Sequence, residues 1–351
     1  MIARNTAIIL SLILAWSGQA LAGPALLFDA ANGRVLYAEE ADQPWHPASL
    51  TKIMTAYMVF EALKAKKISL DQKIPVSANA HAQPPSKLGL PIGAEITVNL
   101  ALKSLIVKSA NDAAVMLAEA IGGTEEAFMA DMNATARRIG MTQSSFVNPH
   151  GLPAPEQITT ARDLSRLTRA VIREYPEYGE LWAMSDMQIG RRRLRTHNGL
   201  LRTYDGADGF KTGFICDSGF NVVATATREN RRLVAVVLGE YTSRDRSLRA
   251  ASLLEHGFKN YGWKELFTNA TVDSLPLSTD VTAVHSIRQH VTSWACNPPK
   301  RRNASASKAR QKKIRARTAA KAKQGAAAPA AKAAPAARSA ASQPPAAAKA
   351  Q

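Results

Sequence analysis

The sequence predicts an α/β fold: an antiparallel sheet flanked by helices, with a helical subdomain added to it. Three observations carry that prediction. Two apolar runs form a hairpin near the start, a long middle stretch has helical periodicity, and β-branched runs return late. Helices placed between two sets of antiparallel strands give a layered fold whose chain ends meet in one sheet.

The first runs, 25–29 and 34–37, flank Asn32-Gly33, a dipeptide suited to a tight hairpin turn. A helix follows from Ser49, with Ile53, Met54, Tyr57, Phe60 and Leu63 on one side. Residues 101–107, 113–121, 125–139 and 161–172 all suit helix periodicity. Strands return at 221–227 and 233–238, joined by Arg228-Glu229-Asn230-Arg231, and a last helix is expected over 245–258.

Four regions divide the 351 residues. Residues 1–22 read as an export signal: Arg4 is the positive start, Ile8 to Trp16 the apolar stretch, and Ala20-Leu21-Ala22 the small-residue cleavage site. Residues 23–267 are long enough for one large domain with its own core. A weakly patterned extension, 268–298, follows. From 299 to 351 Lys, Arg, Ala and Pro dominate, and a stretch with so few large apolar side chains is expected to stay disordered. The predicted location is outside the cytoplasm, in a periplasm.

Net charge is +17, and 14 of the basic residues lie from Lys300 onward with no acid among them. Subtracting those 14 leaves only +3 for the rest, so the basicity belongs to the tail and does not mark a nucleic-acid-binding domain. Charge of that kind suits electrostatic contact with anionic envelope surfaces, or a solvated linker. Cys216 and Cys296 are the two cysteines, and in an oxidising compartment they either pair or remain two free thiols. The seven histidines show no metal-ligand spacing, and the chemistry below calls for no metal and no cofactor.

That chemistry rests on three short groups in one order: Ser49-Leu50-Thr51-Lys52, Ser109-Ala110-Asn111 and Lys211-Thr212-Gly213. At i and i+3 of a helix, Ser49 and Lys52 share a face, so an amine can take the hydroxyl proton. Lys52 must be neutral part of the time to do this, and a second buried cation, Lys211, would push its pKa down. Ser109 and Asn111 suit a helix cap; in a functional reading Ser109 relays a proton to a leaving nitrogen and Asn111 meets a substrate amide. Lys211 and Thr212, at a strand edge, could hold a terminal carboxylate while Gly213 allows close backbone approach. Each group alone has a plain explanation as a helix face, a cap or a turn. Their ordered conjunction is specific to acyl transfer through a serine ester.

With these groups go longer runs: 47–55 around Ser49, 108–113 around Ser109, Phe146-Val147-Asn148-Pro149-His150-Gly151-Leu152, 160–163 and 208–213. On them the chain resembles the D-alanyl-D-alanine carboxypeptidases, the low-molecular-mass penicillin-binding proteins of serine peptidase family S11, over about residues 25–265. The resemblance implies the penicillin-binding protein and serine β-lactamase fold. It implies that Ser49 attacks the carbonyl between the terminal D-alanines of a peptidoglycan stem peptide, with Lys52 as base and Ser109 as relay. It implies an oxyanion held by the N–H groups of Ser49 and Phe214, and acylation by penicillins. A D,D-endopeptidase of the same family, a serine β-lactamase and a non-catalytic wall-binding module are the alternatives. The Glu-x-x-Leu-Asn run of class A β-lactamases is missing here, and the intact Ser49, Lys52 and Lys211 speak against the module. Many relatives carry a second β-rich domain and a membrane-surface helix, which the residues after Phe267 are not expected to form.

Overall fold

A computed structural model of the chain describes residues 23–265, 269–293 and 296. The expected export signal and basic tail lie outside the described residues. A five-stranded antiparallel sheet is built from β1 (Ala25–Asp29), β2 (Val35–Glu39), β7 (Ala207–Ile215), β8 (Gly219–Arg228) and β9 (Arg231–Glu240), in the order β2-β1-β9-β8-β7. The first and last strands of the domain meet as expected: β1 pairs with β9 in register Leu27↔Ala235. Side chains alternate along each strand. Leu26, Phe28, Val234 and Val236 enter the larger core, while Ala25, Leu27, Leu233 and Val237 enter a second one. Both faces are therefore covered. The second core is closed by Leu254 and Tyr261 of α5 (Ser243–Glu265), a helix longer at both ends than its apolar pattern predicts.

On the other face lie α1 (Thr51–Lys64), α2 (Asn111–Gly122), α3 (Glu125–Arg138) and α4 (Ala161–Glu174). Expected to be apolar on one side, α1 is instead buried on nearly every side, with only its last turn reaching solvent. It is the central helix of the domain, and such a helix has no solvent face to reveal a stripe. Thr124 and Thr160 cap α3 and α4 by accepting from Ala127 N and Asp163 N. The β8–β9 turn is tighter than expected, with only Glu229 and Asn230 between the strands, both at positive φ.

Three features depart from sequence periodicity. Residues 101–107 are not one helix: Val98–Lys103 is α-helical and Ser104–Lys108 widens into a π turn ending at a left-handed Ser109. Two small two-stranded sheets, β3 (Lys73–Pro75) with β4 (Glu95–Thr97) and β5 (Asp186–Ile189) with β6 (Arg192–Arg195), have no β-branched alternation to announce them. Cys216 and Cys296 are paired, with Cα atoms 5.3 Å apart, which decides between the two thiol states.

Beyond α5, residues 269–293 lie along the domain as a strap. Its hold depends on Arg162, which is fully buried. Nε and Nη2 donate to the two Asp42 carboxylate oxygens at 2.6 and 2.8 Å, and Nη1 and Nη2 reach the Leu275 and Pro276 carbonyls.

Candidate active site

Ser49 sits in a single 3₁₀ turn, Ala48–Leu50, that leads directly into α1. Ala48 just before it has φ +48°, a left-handed backbone uncommon for a residue with a side chain. Gly151 packs on that turn with φ +83°; a Cβ there would lie 1.8 Å from the Ala48 carbonyl oxygen, so only glycine fits. The nucleophile's backbone is thus held in a strained shape by its surroundings.

One turn along, Lys52 is fully buried. Its Nζ lies 3.0 Å from Ser49 Oγ, 2.9 Å from Asn111 Oδ1 and 2.6 Å from the His150 carbonyl oxygen. A neutral amine has two N–H donors and one lone pair. Three oxygens surround the amine: as an ammonium it donates to all three, and as a neutral amine it donates to Asn111 and His150 and turns its lone pair to the Ser49 hydroxyl proton. Electrostatics favour the neutral form. Burial, and then the charge of Lys211, hold the Lys52 amine well below the ordinary lysine range, against an opposing pull from Asp112.

The second group arrives from across the cleft. Ser109 is not the cap of α2: Ala110 occupies that position and Ser109 stands before it at φ +60°. Its hydroxyl is buried with no hydrogen-bond partner among the described residues, although Ser109 lines the cleft. A hydroxyl in that position is free to bond with whatever enters the cleft. Asn111 is largely committed, with Oδ1 taking Lys52 and Nδ2 donating to the Pro84 carbonyl. Asp112 accepts from the N–H groups of Leu88 and Gly89 at 2.8 and 2.9 Å, pinning the loop whose Pro85 and Ser86 form a cleft wall.

The third group lies on β7, the edge strand, as the sequence predicts. A Cβ on Gly213 would stand 2.8 Å from the Pro47 carbonyl and 3.2 Å from Ser49 N, so glycine lets β7 press against the nucleophile's turn. Thr212, Gly213 and Phe214 line a cleft of about 330 Å³ with Ser49 and Ser109. Lys211 is buried behind this wall, and its Nζ donates to the Thr212 carbonyl at 3.2 Å. Burial first, and Arg246 second, push its pKa down to about 7.

Sequence reasoning missed two members of this site. Arg246, in the first turns of α5, lines the cleft although only 4% exposed, and its Nε has no partner among the described residues. Nothing in its local sequence separates it from the other arginines. His150, assigned no role, contributes its backbone carbonyl to Lys52, while burial above all pushes its ring down to about 3, so the imidazole is neutral. The run 146–152 was a usable signal for that contact.

A sequence model described as D-alanyl-D-alanine carboxypeptidase, Peptidase S11, matches residues 15–242. Among curated proteins, D-alanyl-D-alanine carboxypeptidase DacC of Escherichia coli is 39% identical over 241 residues, 67% of this chain and 60% of its own length. DacF of Bacillus subtilis is 33% identical, covering 71% of this chain and 65% of its own. The chain thus spans about three fifths of the length of DacC. Among solved structures, penicillin-binding protein 5 of Haemophilus influenzae superposes with a TM-score of 0.66 at 35% identity, covering 68% of this chain and 71% of that one. Penicillin-binding protein D2 of Listeria monocytogenes, in its ampicillin-bound form, gives 0.60 at 30% identity, covering 68% and 97%. The fold is that of the penicillin-binding proteins, and the chain belongs to the D-alanyl-D-alanine carboxypeptidase family.

Proposed function

We propose that this chain is a serine-type D-Ala-D-Ala carboxypeptidase that removes the terminal D-alanine from peptidoglycan stem peptides. The observation that carries the proposal is the Lys52 amine, buried 3.0 Å from Ser49 Oγ and held well below the ordinary lysine range by burial and the Lys211 charge. Thr212 and Arg246 receive the substrate's terminal carboxylate, an assignment supported by a buried guanidinium with a spare donor in the cleft wall. Lys211 acts from behind that wall, adding positive charge for the carboxylate and helping to keep Lys52 neutral. The scissile carbonyl oxygen then points at the N–H groups of Ser49 and Phe214, which flank Gly213.

In acylation, Ser49 Oγ bonds to the carbonyl carbon and its proton moves to Lys52 Nζ. The Ser109 hydroxyl passes a proton to the departing D-alanine nitrogen as the C–N bond breaks. Water then attacks the Ser49 ester and releases the shortened peptide. A penicillin places a strained amide and a carboxylate on the same groups, so it acylates Ser49 as well. For location, the export signal reading is supported by the paired Cys216 and Cys296, since disulfides persist in oxidising compartments.

The test follows fluorescent penicillin labelling with wash-out beside D-alanine release from a pentapeptide. Stable labelling with D-alanine release, both lost in Ser49→Ala, is the expected result. Rapid loss of label without D-alanine release would overturn the assignment in favour of a β-lactamase.

A further inference from the structure

The two backbone donors proposed for the oxyanion sit on separate pieces of chain, and one strap grips both pieces. On one side, Phe214 is two residues, about 7 Å of strand, from Cys216 at the β7–β8 turn. That turn is tied to the strap by the Cys216–Cys296 disulfide. Asp217 adds a second hold: its carboxylate accepts from Ser286 Oγ at 2.6 Å and Arg288 Nη2 at 2.9 Å, and its carbonyl accepts from Ile287 N at 3.0 Å. Ile287 also packs on Gly219, where an added Cβ would lie 2.7 Å from its Cδ1.

On the other side, the segment entering the nucleophile's turn is held by the same strap. Gln43 exchanges hydrogen bonds with Thr282, donating to its carbonyl at 3.0 Å and accepting from its N–H at 3.1 Å. Trp45 meets His285 edge to face, and its Nε1–H donates to the Ser218 carbonyl inside the β7–β8 turn. Only His46, Pro47 and Ala48 separate Trp45 from Ser49.

The need for such a brace follows from topology. Among the described residues β7 has a strand neighbour only on its β8 side, which leaves its other edge for the substrate. A strand held from one side defines its N–H positions less well than one held from both. With the carboxylate at Thr212 and the scissile carbonyl at Phe214, the upstream peptide continues past Ile215 towards the braced turn.

Resting on the function proposed above, we infer that the strap closed by Cys216–Cys296 is a positioning element for acylation, setting the spacing of the Ser49 and Phe214 N–H groups. The disulfide is then a reducible part of catalysis. A dithiol attacks one sulfur, its second thiol displaces the other, two electrons and two protons pass to Cys216 and Cys296, and the dithiol leaves as a cyclic disulfide. Oxyanion donors act on the transition state, so loosening them lowers kcat and leaves KM nearly unchanged.

The full chain is assayed oxidised, after dithiothreitol reduction, after reoxidation, and as Cys216→Ser/Cys296→Ser, with thermal unfolding recorded for each. Misplacing one donor by about an ångström costs about 10- to 100-fold. The expected result is therefore a drop of that size in kcat and in penicillin acylation rate, KM within about twofold, and recovery on reoxidation. Reversible reduction of the folded wild-type chain covers the case in which the double variant does not fold. Kinetics within twofold of the oxidised enzyme, or losses seen only where the melting point nears the assay temperature, overturn the inference. If the oxidised chain neither takes penicillin nor releases D-alanine, it is the functional proposal that fails.

Discussion

Lys211→Met tests the electrostatic reasoning in both stability and chemistry. Lys211 is buried, and its pKa falls from 10.5 to about 7. Between those values the unfolded chain carries a proton that the folded chain has released, so stability rises with pH through that window. Each pH unit is worth about 1.4 kcal/mol, so from pH 6 to pH 9 the Lys211 contribution grows by about 2.7 kcal/mol. Urea unfolding of wild type and Lys211→Met at both pH values reads it: groups remote from Lys211 cancel, and the upward shift of Lys52 in the variant only widens the gap. The wild type is expected to gain at least about 2.7 kcal/mol more than the variant, which has the higher stability at pH 6. Penicillin acylation supplies the second arm. Without the Lys211 charge Lys52 holds its proton more tightly, so half-maximal acylation moves to higher pH, while Lys211→Arg keeps the charge and shows a smaller move. Parallel stability curves, with no alkaline move in acylation, would refute the account.

Arg246→Gln removes the charge proposed for the terminal carboxylate, and kcat/KM for a pentapeptide should fall by about 10- to 100-fold, the worth of a charged hydrogen bond. Gly213→Ala drives a methyl into the Pro47 carbonyl, separating β7 from Ser49, and acylation by a fluorescent penicillin should drop by at least about tenfold with secondary structure retained by circular dichroism. Arg162→Ala leaves Asp42 buried without its partner and frees the strap, and chemical denaturation should show a loss of about 3–5 kcal/mol.

The local elements were legible because each depends on near neighbours in the chain. Asn32-Gly33 announces its turn, and the β-branched run at 233–238 predicts a strand. Where a helix is buried on nearly every side, as α1 is, or a strand is carried by arginines, as β6 is, periodicity holds no information about the partner that buries or pairs the segment. The left-handed Ser109 was hidden for a related reason: capping describes its residue type equally well, and only the packed site shows a hydroxyl with nothing to bond.

The order of Ser49–Lys52, Ser109–Asn111 and Lys211–Gly213 determined the class of chemistry from sequence alone, because reactive groups and helical spacing are properties of the chain. Their division of labour was decided only by the tertiary structure. Burial lowers the Lys52 pKa, puts Lys211 behind the wall it was expected to line, and brings in the His150 carbonyl and Arg246 from 98 and 194 residues beyond Lys52. Those are effects of solvent exclusion and of charges meeting across a cleft, and neither exists until the chain has closed around the site.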